Sequence, residues 1–216
     1  MKGSKEMTFL ELHQFIKQDL LIYSWILNNF CLTQHKLEVG MELVMNNEQV
    51  IIMEKGLLAQ ESIESKTIIH RIFEDQRIIF NTEGNLSLTA LEDTTYRIVD
   101  KKDLLDELDS QKLLPHFLLQ IAEDFEQDLE QERKLMSANS EERIELILTK
   151  IIDRHQLDSV TNPTFPKWLK IYVLARLAKC SVSTTSIVVN ELAQKGVINV
   201  KTTPWQLVEN SQISCA

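Results

Sequence analysis

Four side chains near the C-terminus recur at the spacing of one helix face and could contact base edges in DNA. They are Ser183, Ser186, Ile187 and Asn190, and Val182 precedes them at the start of the same predicted helix as a further candidate. Serine and asparagine can hydrogen-bond to bases in the major groove, and valine or isoleucine can contact a thymine methyl group. Arginine, which makes the commonest specific contact to guanine, is missing from these positions. We therefore expect a DNA site rich in A and T.

The same segment carries positive charge, although the chain as a whole is acidic. Between Val160 and Trp205 there are six basic residues and one acidic residue, whereas the formal net charge of the whole chain is −9. A basic module on an acidic body is expected where one part of a protein contacts phosphates, and chance clustering is the alternative. The candidate phosphate contacts are Lys167, Lys170, Arg176, Lys179, Ser181, Thr184 and Lys201.

Two helices are predicted to position these side chains. Pro166 can open a first helix that ends near Ala178. Ser181 or Ser183 can cap a second helix that runs to about Lys195.

A hairpin is predicted after the second helix. Gly196 suits the position that follows a helix end, and two short apolar runs come next, Val197–Val200 and Trp205–Val208. Helix, turn, helix and hairpin form a winged helix-turn-helix, whose second helix enters the major groove.

A long amphipathic helix is predicted upstream of this module, with Pro115 in its first turn. Its apolar residues alternate at spacings of four and three, which favours a two-stranded coiled coil and hence a homodimer. The alternative is a helix packed on its own sheet. The candidate dimer-interface residues are Leu118, Ile121, Ala122, Phe125 and Leu129. Ser140 is predicted to cap the following helix, which ends near His155.

Short apolar or alternating runs fill residues 34–99 and predict an antiparallel β-roll or jelly roll. Polar turns separate them, among them Asn46-Asn47, Glu54-Lys55-Gly56 and Glu74-Asp75-Gln76. The predicted strands are Lys36–Val39, Gln49–Met53, Lys66–Phe73, Arg77–Phe80, Leu86–Leu91 and Thr95–Val99.

The predicted fold class is α+β, with helices flanking the β-roll. They are expected within Thr8–Phe30 and over Lys101–Glu107, the latter capped by Asp100. We predict an effector-like β-roll domain over residues 1–112, a dimerisation helix over 113–136 and a winged helix-turn-helix domain over 137–216.

Several segments resemble the Crp/Fnr family of bacterial transcription regulators. Leu177–Ser181 through Leu192–Ile198 follows the family's helix-turn-helix spacing without a gap, and Gln49–Gly56 and Leu88–Asp93 are similar to its β-roll strands. The resemblance implies a dimer with a cyclic-nucleotide-binding-like β-roll. The implied partners are a second copy, near-palindromic double-stranded DNA, RNA polymerase and an unidentified small-molecule effector.

The segment Phe80–Leu86 departs from the nucleotide-binding members of this family. It is short, and no arginine follows before Arg97. A cyclic phosphate needs a positive partner and a cradle of backbone N–H groups. We therefore expect no response to cAMP.

No residue pattern indicates catalysis, a metal or a cofactor. The five histidines are isolated, and no GxSxG, P-loop or GxGxxG motif occurs. Three distant cysteines, Cys31, Cys180 and Cys215, are expected to be reduced thiols, since disulfides are rare in the cytoplasm. Cys180, in the helix-turn-helix turn, is either a packed residue or a redox switch.

No signal peptide or apolar run of membrane-spanning length is evident, so a cytoplasmic location is expected.

These observations lead to two hypotheses for the function of the protein. The first hypothesis is a dimeric DNA-binding transcription regulator. The alternative is a degenerate β-roll and winged-helix protein that acts through protein contacts, without sequence-specific DNA readout.

Overall fold

The computed structural model describes residues 21–44, 46–80 and 86–208, which divide into two compact units. Of the described residues, the first unit contains those up to Gln60 together with those within 72–129. The second contains Glu61–Arg71 and the described residues from Glu130 onward. The domain limits expected from the sequence, 1–112, 113–136 and 137–216, stay a prediction.

The described chain is a mixture of helices and antiparallel strands, as the α+β prediction requires. In chain order the elements are α1 (Leu21–Asn29), β1 (Gln34–Leu37), β2 (Glu42–Val44), β3 (Gln49–Ser62), β4 (Ile69–Phe73), β5 (Arg77–Phe80), β6 (Leu86–Asp100), α2 (Lys101–Ser110), α3 (Leu114–Ser137), α4 (Ser140–His155), α5 (Ile171–Leu177), α6 (Val182–Gln194), β7 (Ile198–Asn199) and β8 (Gln206–Leu207).

The large sheet has the strand order β1-β6-β3-β4, with β2 also paired to β6 and β5 to β3. Apolar residues on β3 alternate between two cores. Val50 and Ile52 pack against helices α1, α2 and α3, whereas Ile51 and Met53 pack among the strands. Burial of both faces explains why residues 50–53 of this strand form a continuous apolar run in the sequence.

The predicted turn at Glu54-Lys55-Gly56 is wrong, because β3 continues through it to Ser62. Gly56 has a φ of +126°, and its N–H donates to Asp75 Oδ1 at 2.6 Å. A Cβ at this position would collide with Thr94 Oγ1 and with the Thr94 backbone. The glycine therefore marks a close approach between strands and not a chain reversal.

The predicted break between Leu86–Leu91 and Thr95–Val99 is also wrong, because β6 is one strand. The Asp93 carboxylate accepts a hydrogen bond from the Val39 N–H at 3.1 Å. Asp93, an acidic residue of a type that favours turns, therefore lies within a strand here and binds the backbone of the segment that contains Val39.

Helix caps agree with the sequence at one site and differ at another. Asp100 caps α2 as predicted, accepting from the N–H groups of Lys102 and Asp103. Ser140 does not cap α4, because Asn139 and Glu142 form a reciprocal capping box. Only the part of the predicted Thr8–Phe30 helices from Leu21 onward, which is α1, lies within the described residues.

The second unit has one apolar core that joins three helices and the small hairpin. Phe165 and Trp205 are buried in it, and Leu148 of α4 and Leu174 of α5 are fully buried. This core determines the orientation of α6, because the inner face of that helix is part of it.

We expect Gly56→Ala to lower the free energy of unfolding by about 2–4 kcal/mol, because the new methyl group would collide with Thr94 and the φ angle would be strained. Gly40→Ala is the matched control, since Gly40 also has a positive φ of +82° but a Cβ added there would meet no atom within 4 Å. Urea titration of both variants measures the difference. Equal losses would contradict the close approach.

We expect alkaline pH to destabilise the first unit through Tyr23. Its hydroxyl donates to Met53 O at 3.0 Å, and burial, with the Glu54 carboxylate, raises its pKa to about 12. The unfolded chain loses this proton near pH 10, so the contribution is complete below pH 10 and is lost by about pH 12. Tyr23→Phe should cost about 1 kcal/mol at pH 7 and less at pH 11, as measured by urea unfolding.

Candidate nucleic-acid interface

Helices α5 and α6 meet at an angle of 110° across a short turn, which is typical of a helix-turn-helix. Ser181 caps α6, accepting from the Thr184 N–H at 3.0 Å, as one of the two predicted caps. The buried hydroxyl of Thr185 donates to Ser181 O at 2.9 Å. The first turn of α6 is thereby fixed by side chains of its own sequence.

The first helix begins later than predicted. Pro166 does not open it, since α5 starts at Ile171 with Lys170 as its N-cap. Residues before Pro166 run alongside the hairpin instead, where the Phe165 N–H donates to Trp205 O at 2.9 Å. The carbonyl of Pro166 accepts a turn hydrogen bond from the Leu169 N–H at 3.0 Å.

The outer face of α6 carries the residues predicted to contact bases. Val182, Ser183, Ile187 and Asn190 are exposed, and Ser186 is half-buried. Ile187 is 60% exposed although it lies on a helix whose other apolar residues are mostly buried. The inner face is formed by the remaining residues of the predicted pattern, Thr185, Val188, Val189 and Leu192.

Hydroxyl groups cluster at the start of α6. Ser181 Oγ lies 2.8 Å from Ser183 Oγ and 2.7 Å from Thr184 Oγ1. Ser181 and Ser183 are exposed and Thr184 is half-buried. These groups stand beside the N–H groups of a helix N-terminus, where the helix dipole favours a negative charge.

The hairpin after α6 is shorter than the predicted runs, with Ile198 paired to Leu207 and Asn199 to Gln206. Gly196 has a φ of +77°, as predicted for a residue that follows a helix end. Lys201 lies exposed in the loop of the hairpin, and its N–H donates to Asn199 Oδ1 at 3.0 Å.

The five basic residues among the predicted phosphate contacts fall into two groups. Lys167, Lys170 and Lys201 are exposed. Arg176 and Lys179 are each in an ion pair with a carboxylate, Glu61 and Glu132 respectively.

The two carboxylates were missed by reasoning from the sequence. Glu132 had one signal, since it interrupts the apolar seam of α3 at a position where the spacing calls for an apolar residue. No signal in the sequence indicated Glu61, because its partner Arg176 is distant along the chain.

The long helix α3 presents the predicted dimer residues on one side. Leu118, Ala122, Phe125 and Leu129 are exposed, whereas Ile121 is half-buried and packs on the core of its own unit. The neighbouring face is held to the sheet by Arg77, which forms ion pairs with Asp124 and Asp128.

Three further features concern chemistry other than DNA binding. Within residues 21–44, 46–80 and 86–208, no group of three or more His, Cys, Asp or Glu side chains is placed to hold a metal ion. Cys180 is a half-buried thiol with Sγ 3.3 Å from Ala178 O, and Cys215 lies outside the described residues. The redox role of Cys180 stays a prediction.

No single helix in the described part of the chain is long and apolar enough to cross a membrane. Only the bent pair of α5 and α6 meets the length and composition criterion, and it does so as two helices taken together.

Sequence comparison finds neither a matching family model nor a matching curated protein. Solved structures do match most of the chain. The c-di-GMP-responsive global regulator CLP of Xanthomonas campestris is 14% identical, with a TM-score of 0.68 over 89% of this chain and 100% of CLP. A putative Crp/Fnr-family regulator from Eubacterium rectale is 11% identical, with a TM-score of 0.67 over 91% and 94%.

A cyclic nucleotide-binding domain protein from Listeria monocytogenes is 18% identical, with a TM-score of 0.64 over 89% of this chain and 99% of that protein. At such identities the likeness concerns the fold. The predicted combination of a β-roll, a long helix and a winged helix-turn-helix is confirmed. The chain therefore has the fold of the Crp/Fnr regulators.

Proposed function

We propose that this protein is a dimeric transcription regulator that binds double-stranded DNA through α6. The observation that carries the proposal is the outer face of α6, where Ser183, Ile187 and Asn190 are exposed while the opposite face is buried. Side chains on such a face can reach base edges in the major groove. The fold shared with Crp/Fnr regulators supports the same function.

The exposed lysines supply the affinity that does not depend on sequence. Lys170 stands at the N-terminus of α5 and Lys201 in the hairpin loop, on the two elements that flank α6 in the chain. Contacts from such residues to phosphates position a protein on the duplex, whereas contacts from α6 specify the bases. We propose a near-palindromic site, because two symmetric copies of α6 would contact it. We propose that this site is rich in A and T, because the outer face of α6 carries no arginine to contact guanine.

Besides DNA, two further partners are considered for this fold, a small-molecule effector and RNA polymerase. We infer that cAMP is not the effector, because no arginine lies in the sequence between Phe80 and Leu86, where residues 81–85 are outside the described residues. RNA polymerase is proposed as a partner on the basis of the shared fold. No catalytic role is proposed.

The DNA proposal is tested by selecting bound sequences from random DNA and measuring Kd against salt. Lys170→Ala and Lys201→Ala together should weaken binding to all sequences and lower the salt slope by about 4, because a dimer loses two phosphate contacts in each subunit. Asn190→Ala should weaken binding about 5- to 100-fold for the selected sequence alone.

Lys55→Ala is the control for that experiment, since Lys55 is an exposed lysine of the β-roll. It should leave both Kd and the salt slope unchanged. If the protein binds its selected sequences no better than random DNA, the regulator proposal fails. Action through protein contacts then becomes the better hypothesis.

The dimer proposal rests on the exposed seam of α3. Leu118 and Leu129 are 55% and 62% exposed, and the seam between them is about 17 Å long at 1.5 Å per residue. Leu118→Asp with Leu129→Asp should give monomers in sedimentation velocity, because two charges would be buried in the coiled coil. Leu119→Asp, on an adjacent face, should leave the dimer intact. A monomeric wild-type protein would overturn this proposal.

A further inference from the structure

Two basic side chains of the helix-turn-helix are each bound to a carboxylate within the second unit. Arg176 of α5 forms an ion pair with Glu61, near the end of β3. Lys179, in the turn before α6, forms a hydrogen-bonded ion pair with Glu132 of α3. The first contact is ionic and not a well-aligned hydrogen bond. Both positive charges are therefore neutralised inside the protein.

The two pairs differ in depth. The Glu61 side chain is 2% exposed and that of Arg176 is 20% exposed. If Arg176 left to contact a phosphate, the buried Glu61 carboxylate would lose its guanidinium partner, which is unfavourable. The Glu132 side chain is 40% exposed, so its pair with Lys179 is the weaker and opens more readily.

Both carboxylates lie on elements that begin in the first unit. β3 starts at Gln49 and α3 at Leu114, and each ends in the second unit, where Glu61 and Glu132 lie. The cations they hold belong to α5 and to the turn that fixes the start of α6. Both cations are therefore held by carboxylates that precede the helix-turn-helix in the chain.

We propose that Glu61 and Glu132 form an acidic latch that competes with DNA phosphates for Arg176 and Lys179. With the latch closed, only the exposed lysines attract DNA. When a carboxylate separates from its cation, the released cation adds a phosphate contact and affinity rises. The inference rests on the proposed DNA-binding function and adds a means of regulating it.

The first test uses Glu132→Gln, because the Glu132 side chain is partly exposed and its substitution is expected to disturb the fold less than that of Glu61. Full-length variant and wild type are compared by fluorescence anisotropy on one selected 30-base-pair duplex at several salt concentrations. Release of Lys179 in both subunits of the dimer should tighten binding about three- to tenfold and steepen the salt slope by about 2. Glu126→Gln removes the same charge from an exposed position on α3 and should change neither quantity.

A thermodynamic cycle separates the latch from a general effect of charge. In wild type, Lys179→Gln should have little effect on DNA affinity, because Lys179 is held by Glu132. In the Glu132→Gln background the same substitution should cancel the gain in affinity. Additive effects of the two substitutions would overturn the proposal.

The deeper pair is tested with Glu61→Gln, followed by thermal unfolding and DNA binding. We expect a lower unfolding midpoint together with tighter DNA binding and a steeper salt slope. If wild type binds DNA but neither Glu132→Gln nor Glu61→Gln binds it more tightly, the latch is wrong and the proposed function stands. If wild type and all variants fail to bind DNA, the proposed function is wrong and the latch falls with it.

Discussion

Burial of the inner face of α6 is the constraint on which the second unit depends. Val188, Val189 and Leu192 enter a core shared with α4, α5 and the hairpin, and this burial contributes several kcal/mol. A helix buried on one side has no freedom to rotate, so the opposite side chains must face outward. The exposure of Ile187, which costs free energy in water, follows from the burial of its neighbours.

The basic side chains of the second unit also divide into two groups, those that are exposed and those that are held in ion pairs. Lysines at the start of α5 and in the hairpin loop face solvent, whereas Arg176 and Lys179 are neutralised by carboxylates. On α3 the acidic side chains that contact Arg77 share the helix with an apolar seam. A chain with a net negative charge can therefore still expose several lysines in its C-terminal module.

Local signals in the sequence predicted much of the site. The helix α6, a cap at Ser181 or Ser183 and the glycine after the helix end were all predicted, because each depends on neighbouring residues and backbone geometry. Predictions failed where a distant segment decided the outcome. Pro166 does not open α5, because Phe165 pairs with Trp205 beside the hairpin and the chain turns between Pro166 and Leu169 before the helix begins. β3 continues through Gly56, where Thr94 lies against it.

The sequence by itself determined which residues α6 exposes and buries, since the helical period fixes the side of every residue once one apolar face is buried. It also determined where the basic residues concentrate. Only the tertiary structure decided which of those cations are available to a phosphate, because Glu61 and Glu132 reach Arg176 and Lys179 from distant parts of the chain. Ion pairs between distant residues depend on packing, and no local pattern encodes them.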